Sequence, residues 1–379
     1  MMKSIFRKMA PLLKIMIVVG AGLGITALSG NAKAEVVGGL YSASVPVADQ
    51  SEKLRGQAIK EGLGDVFVRL TGTRAVLADP DVRAVLSRAQ EYVVEYSYAD
   101  RAADPSLSSS STLPSTLNLA VSFSAQPLER MLRQLSLPIW PADRPALMIW
   151  LVTRTANGYQ FIEPFDKSVL PAGVENALKR RGVPFKVPLY DLQDQMSLTA
   201  QQAGEAVEEK LAEATRRYGI DSWLVLLVAE TQNSQYQGTW FLGGGTELLR
   251  GSVSTGSLQQ LIDDSVDPAI DQFSRALTYQ AGQLGDEIHL LISNVDSYAD
   301  FSAVTSILGG HEVVVSTQVT QVVKDLLYLD VVTEGDPQVL VRALDNSSRF
   351  TRVAAVGGSA GIGSGEALVF QFEWRVGAW

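Results

Sequence analysis

The sequence predicts an α+β protein in which a central sheet is flanked by helices. Two uninterrupted apolar runs, at residues 223–229 and 146–152, carry this prediction. A short apolar run with turn signals at both ends is typical of a strand that is buried on both faces. Segments with helical periodicity at residues 168–181 and 205–218 separate the two runs, so helices are expected to cover the sheet.

The first 34 residues have the layout of a secretory signal peptide. Basic side chains precede an apolar stretch at residues 15–28, and Ala32-Lys33-Ala34 follows it as an A-x-A cleavage pattern. We therefore expect cleavage after Ala34 and a mature periplasmic chain that starts at Glu35. The alternative is an uncleaved membrane anchor, but about 14 apolar residues fall short of the roughly 20 that a spanning helix needs.

The composition excludes several classes of site and partner. The chain of 379 residues has no cysteine, which excludes disulfides, thiol nucleophiles, thiolate metal sites and a lipid-modified cysteine. A secreted chain without disulfides fits a bacterial periplasm. The net charge is −9 at pH 7, and removal of the leader with its five basic side chains and no acid makes it −14. We therefore predict no nucleic-acid partner and no stable membrane insertion after cleavage.

Residues 35–140 are predicted to form an N-terminal α+β domain. Gly72 is expected to end its first helix, and Asp79-Pro80 to begin the second. The last two strands are expected to pair as a hairpin across a Ser/Pro-rich loop at residues 102–116. The predicted strands are at residues 36–47, 92–98 and 117–123, and the helices at 54–70, 79–89 and 127–135.

Residues 146–280 are predicted to form a central αβ domain after a proline-rich junction at 137–145. Trp140 is expected to pack in the seam between the two domains. Gly243-Gly244-Gly245 predicts a hairpin turn between two longer strands. The predicted strands are at residues 146–153, 159–161, 185–189, 223–229, 236–242 and 247–254, and the helices at 168–181, 205–218 and 258–280.

Residues 285–379 are predicted to form a C-terminal domain with the β-α-β-β-α-β order of a ferredoxin-like fold. Residues 319–325 fit this order poorly, and an alternative is that they belong to a longer strand. The predicted strands are at residues 287–295, 312–318, 327–333 and 367–376, and the helices at 298–308 and 336–344. The sequence thus predicts three small α/β domains after the leader at residues 1–34.

Three stretches resemble motifs of a bacterial envelope family catalogued as domain-of-unknown-function family 2066. They are Asp49-Gln50-Ser51, the run from Val68 to Gly72, and Asp143-Arg144-Pro145 followed by residues 149–152. The resemblance implies an envelope location, but the motifs carry no catalytic signature and transfer no functional residue. The element order of the central domain is also similar to the αβ domain of periplasmic lipoproteins that activate penicillin-binding proteins or assemble secretion pores, although this chain lacks their lipid-attachment cysteine.

The sequence predicts no catalytic residue, no cofactor and no metal site. Residues 357–361 match the G-x-S-x-G pattern of a nucleophile elbow, but no histidine follows them, and we interpret the segment as a glycine-rich loop. His289 and His311 are the only histidines of the chain. A metal held by both would need a carboxylate, such as that of Glu312, to complete its shell. We interpret both histidines as structural residues.

Trp240, Trp374 and Trp379 are interpreted as an exposed partner-binding surface, whereas Trp150 and Trp223 are expected in the core. We predict a non-enzymatic protein-interaction or assembly factor of the cell envelope, with an envelope protein as partner. Two alternatives stay open, an envelope hydrolase that uses carboxylates and a small-molecule or glycan-binding module. A cleft lined by acids with shifted pKa values would favour the hydrolase, an aromatic-lined cleft the binding module, and a flat apolar patch the interaction protein.

Overall fold

A computed structural model describes residues 35–100, 117–163, 169–231, 235–353 and 368–375. Helices and small sheets alternate through these residues, which confirms the α+β class. None of the helices described is both long and apolar enough to cross a membrane. Four predicted features lie outside the described residues. They are the leader at 1–34, the Ser/Pro-rich loop at 102–116, the G-x-S-x-G segment at 357–361 and Trp379.

The first unit is a three-stranded antiparallel sheet packed against a long helix. Gly72 ends that helix in the left-handed conformation, with φ 75°, and donates its N–H to Val68 O. Asp79 accepts hydrogen bonds from two backbone N–H groups of the next helix, which confirms the predicted start. The elements are β1 (Glu35–Val36), β2 (Ser42–Val47), α1 (Glu52–Thr71), α2 (Pro80–Leu86), β3 (Val93–Asp100), β4 (Leu117–Phe123) and α3 (Ala125–Gln134). The sheet order is β2-β4-β3, so the predicted pairing of the last two strands is confirmed.

The central sheet has helices on both faces, as predicted. The elements of this part of the chain are β5 (Pro138–Ile139), β6 (Asp143–Arg144), β7 (Leu147–Thr155), β8 (Gly158–Phe161), α4 (Val169–Arg181), β9 (Phe185–Lys186), α5 (Leu192–Ser197), α6 (Ala200–Gly204), α7 (Glu208–Arg216), β10 (Ser222–Glu230), β11 (Tyr236–Gly243), β12 (Leu249–Thr255) and α8 (Leu258–Arg275). Strands β5 and β6 lie outside the central sheet. The two apolar runs are the parallel neighbours β7 and β10, in the order β12-β11-β10-β7-β8. One face of β7 packs with α4 and α8, and the other with α6 and α7.

The third unit contains the predicted β-α-β-β-α-β order with two additional short strands. Its elements are β13 (Tyr279–Gln280), β14 (Leu284–Ser293), α9 (Tyr298–Gly309), β15 (Val314–Val323), β16 (Leu326–Glu334), α10 (Gln338–Asn346), β17 (Phe350–Arg352) and β18 (Leu368–Trp374). The sheet order is β15-β16-β14-β18-β17. Because β17 is added at the edge and the chain reverses after it, β18 runs parallel to β14. Residues 319–323 belong to β15, as the longer-strand interpretation predicted.

The chain enters and leaves the central sheet at one place. Strand β5 pairs with β13, with Ile139 opposite Tyr279. Buried apolar residues of the first and third units join there into one hydrophobic cluster, which we name the shared cluster. The side chain of Arg133 also forms an ion pair with Glu334, at 3.0 Å. The division into three domains stays a prediction.

Three arginine side chains are buried where the first unit meets the central sheet, and we name them the arginine junction. They are Arg69, Arg144 and Arg181. Arg144 is 0% exposed and lies 4.0 Å from the ring centroid of Trp140. Burial, followed by the charge of Arg69, lowers the pKa of Arg144 to about 9, which leaves it cationic at neutral pH. Its guanidinium donates to five backbone carbonyl oxygens, those of Arg69, Trp140, Pro141, Arg181 and Gly182.

Candidate functional site

The prediction that tryptophans form an exposed surface is wrong for Trp240 and Trp374, the two members that the structure describes. Trp240 is 7% exposed, and its ring packs over the backbone of Gly251 on the neighbouring strand β12. Trp374 is 2% exposed, and its Nε1 donates to Asp300 at 3.0 Å. Both residues occupy inward positions of their strands, because side chains alternate between the two faces of a sheet. Neither indole ring is therefore available to a partner in this structure.

Exposed apolar side chains lie instead on and beside the short helix α5. Leu189 and Leu192 are each 72% exposed, and Met196 is 81% exposed. Leu192 and Met196 are four residues apart, so they project from the same side of the helix. They line a shallow depression of about 580 Å³ together with Glu213 on α7. We name Leu189, Leu192 and Met196 the α5 surface.

Tyr190 anchors this surface in the core. It adopts the left-handed conformation, with φ 51°, which is uncommon for a residue with a bulky side chain. Its ring is buried against Phe161, at 5.0 Å between centroids, and against Trp150, at 6.1 Å. Backbone strain of this kind persists only where the surrounding structure holds it. The conformation buries Tyr190 while its neighbour Leu189 is exposed.

A charged network fixes the same segment from the other side. Arg217 forms ion pairs with Asp191 and Asp194, and Asp191 also accepts the backbone N–H of Asp194 as the N-cap of α5. The hydrogen bond to Arg217 holds the pKa of Asp191 at about 2. The Tyr218 hydroxyl donates to Asp194 at 2.5 Å and accepts the N–H of Leu189 at 2.9 Å. The α5 surface is therefore presented by a backbone that is held in one conformation.

A cleft of about 1180 Å³ lies between α1 and α8, and acidic side chains line much of it. Burial raises the pKa of Asp65 on α1 to about 6. Asp264 on α8 is exposed and forms no ion pair with a described residue, whereas the other three acids of α8 in this cleft are paired with arginines. The pairs are Arg180 with Asp263 at 2.8 Å, Arg74 with Asp267, and Arg181 with Asp271 at 2.5 Å. Paired-carboxylate catalysis needs two acids that converge with pKa values pushed apart, and these ion pairs do not supply the second acid.

Replacement of Asp65 with asparagine is expected to stabilise the protein by about 3 kcal/mol at pH 7. Between the unfolded pKa of 3.8 and the folded pKa of about 6, the folded carboxyl holds a proton that the unfolded chain has released. Stability therefore falls as the pH rises through this window, and the neutral amide removes that fall. Urea unfolding at pH 4, 5, 6 and 7 measures it. Asp264→Asn, at an exposed position of the same cleft, is the control. An unchanged pH slope in Asp65→Asn would contradict the expectation.

The two histidines have different surroundings. His289 Nδ1 lies 2.5 Å from Asp330 Oδ1 on the neighbouring strand, and Glu287 offers a further ligand atom within 4.8 Å of both. His311 accepts the backbone N–H of Val313 at 3.3 Å, and burial lowers its pKa to about 4. His311 is thus a neutral structural residue. Glu312, the carboxylate expected from the sequence, is not part of this cluster. Glu287 lies on the same strand as His289, and the strand register brings Asp330 opposite His289.

Comparisons with known proteins give the chain a partial family match. Residues 34–141 match a family described as Domain of unknown function (DUF8605). The family number 2066 is not confirmed, and no curated protein matches the chain.

The solved structures that align with the chain include two with weak similarity. The LpoB C-terminal domain from Salmonella enterica aligns with 35% of this chain and 95% of its own, at 16% identity and a TM-score of 0.22. A second structure, described as that of an uncharacterized protein, aligns with 35% of this chain and 90% of its own, at 11% identity and a TM-score of 0.16. Scores this low carry no functional conclusion.

Proposed function

We propose that the chain is a non-enzymatic interaction protein of the bacterial cell envelope, and that it contacts a protein partner through the α5 surface. The observation that carries the proposal is the exposure of Leu192 and Met196 on a segment held in one conformation. Exposed apolar side chains next to one another mark interaction sites, because their burial in a complex is favourable by about 1.5–3 kcal/mol each. A prearranged surface also loses little conformational entropy on binding.

The surroundings of the α5 surface support a protein as the partner. The depression is shallow, and Asp191 and Glu213 at its rim are already paired with Arg217 and Lys210. A small apolar centre with a paired polar rim has the pattern of a protein–protein contact. The envelope location rests on the leader layout of residues 1–34 and on the absence of cysteine.

The described residues give less support to the two alternatives, the carboxylate hydrolase and the small-molecule or glycan-binding module. In the acid-lined cleft, the α8 carboxylates Asp263, Asp267 and Asp271 are each paired with an arginine. A glycan site would need a cleft lined by exposed aromatic rings. The exposed rings of Tyr96 and Tyr298 line neither the acid-lined cleft nor the depression beside α5. The tryptophans that the structure describes are all buried. They are Trp140, Trp150, Trp223, Trp240 and Trp374.

Photo-crosslinking from position 196 is expected to capture one dominant envelope protein in cells. The full-length chain carries a photoreactive phenylalanine in place of Met196, and the recovered chain is sequenced from its N-terminus, with Glu35 expected first. Adding Leu192→Glu should weaken capture by about 10-fold or more, since a charge then occupies the centre of the contact. Neither change should alter stability, because both side chains are exposed.

Val94→Glu is the matched control, because Val94 is an apolar residue 67% exposed on β3 and outside the α5 surface. Its crosslinking yield should equal that of the parent chain. The α5 surface would be refuted as the contact if Leu192→Glu left the crosslinking yield unchanged. It would also be refuted if Val94→Glu reduced the yield as much as Leu192→Glu does. A chain recovered with Met1 at its start would refute leader cleavage.

A further inference from the structure

We propose that Glu287, His289 and Asp330 form a binding site for a divalent transition-metal ion such as Zn²⁺ on the outer face of the third unit's sheet. The donor atoms of these three side chains lie within 4.8 Å of one another. One imidazole nitrogen and two carboxylate oxygens are a ligand set that zinc accepts in proteins.

Strand pairing brings the three side chains together. His289 on β14 is directly opposite Asp330 on the antiparallel strand β16. Glu287 precedes His289 by two residues, so it projects from the same face of β14. The intervening Ile288 is 0% exposed and points into the core on the other face. The site is therefore built on two paired strands, which hold the ligand positions more firmly than a loop would.

The distances fit a zinc ion after small side-chain rotations. With ligand bonds of about 2.0–2.2 Å, tetrahedral coordination places donor atoms roughly 3.3–3.6 Å apart. His289 Nδ1 and Asp330 Oδ1 are 2.5 Å apart, so they must move apart to bind the ion. The distances from the Glu287 ligand atom to those of His289 and Asp330 do not exceed 4.8 Å. The side chains of His289 and Asp330 are 40% and 27% exposed, so both have room to rotate. The same exposure leaves the remaining coordination positions open to water or to a further ligand.

The charges at this face favour a cation. Glu287 and Asp330 are acids, and a metal ion would be bound by the unprotonated nitrogen of His289. Among the described residues, no lysine or arginine forms an ion pair with Glu287 or Asp330. The cross-strand neighbours on this face are uncharged, with Val332 opposite Glu287, Gln318 opposite Asp330 and Val369 opposite His289. An ordinary His–Asp pair accounts for two of the three side chains, but it leaves Glu287 beside another carboxylate, with no lysine or arginine of the described ranges paired to it.

Titration of the full, untagged protein with ZnCl₂ in a calorimeter tests the proposal. We expect one saturable site with a stoichiometry near one. Glu287→Gln, His289→Gln and Asp330→Asn should each weaken zinc binding by at least about 10-fold, the lower bound seen when even an outer-shell partner of a ligand is removed. Since imidazole selects transition metals over oxygen-preferring ions, an approximately 100-fold excess of MgCl₂ should leave the zinc affinity unchanged.

His311→Gln is the matched control, because His311 is the other histidine of the chain and lies outside the cluster. Its zinc affinity should equal that of the parent protein. In NMR spectra, zinc should shift the imidazole signals of His289 and leave those of His311 in place, which tests the site without any variant. The proposal would be overturned if the protein bound no zinc, or if magnesium displaced the zinc. It would also be overturned if the double variant Glu287→Gln/His289→Gln still bound zinc.

Discussion

Replacement of Arg144 with methionine is expected to lower the free energy of unfolding by about 4 kcal/mol. The side chain is fully buried, and its guanidinium donates to five backbone carbonyl oxygens. Methionine fills much of the volume but donates nothing, so these carbonyls lose their partner without regaining water. Urea unfolding at pH 7 measures the change.

Two further variants show whether the hydrogen bonds cause the loss. Arg144→Lys keeps the charge but replaces the planar fork with a single ammonium, so an intermediate loss of about 2 kcal/mol is expected. Arg88→Met, at an exposed position, should change the free energy by less than about 0.5 kcal/mol. If Arg144→Met were as stable as Arg88→Met, the arginine junction would not contribute to stability.

Gly243→Ala is expected to cost about 2–3 kcal/mol, because a methyl group there would overlap a buried ring. A Cβ at this position would lie 2.1 Å from Cζ2 of Trp223, whose side chain is 1% exposed. The ring is buried in the core and rests directly on the backbone at the end of β11. The free energy of unfolding of the variant, from urea denaturation, measures the cost.

Gly245→Ala is the control in the same turn, because a Cβ there meets no atom within 4 Å. A double-mutant cycle with Trp223→Leu separates the ring contact from other effects of the methyl group. In that background the cost of Gly243→Ala should fall below about 1 kcal/mol. An undiminished cost would mean that the ring of Trp223 is not what excludes the methyl group.

Strong local signals made most of the fold predictable from the sequence. Gly72 and Asp79 mark helix ends through backbone conformation and capping, which depend on few neighbours. The buried strands β7 and β10 are apolar throughout, so their interpretation needed no knowledge of the partner. Short elements were missed because their stability comes from tertiary contacts. Examples are β17, with three residues, and α6, with five.

The candidate sites were less predictable, since each depends on which face of an element is covered. The exposure of Trp240 and Trp374 was predicted wrongly, because the packing of the whole unit determines which face of a strand a helix covers. Residues 192–197 form a helix of only 6 residues, which is too short to show an amphipathic pattern. The proximity of His289 to Asp330 depends on a strand register that links positions 41 residues apart.

The pairing of β5 with β13 has a consequence for the order of folding. It joins Ile139 to Tyr279, so about 140 residues must be gathered into one loop before the shared cluster can close. A central segment that has already folded holds its two ends near each other, and it removes most of the entropy that this closure would otherwise cost. Folding of the central segment before the first and third units join would therefore lower the entropic cost of closing the shared cluster.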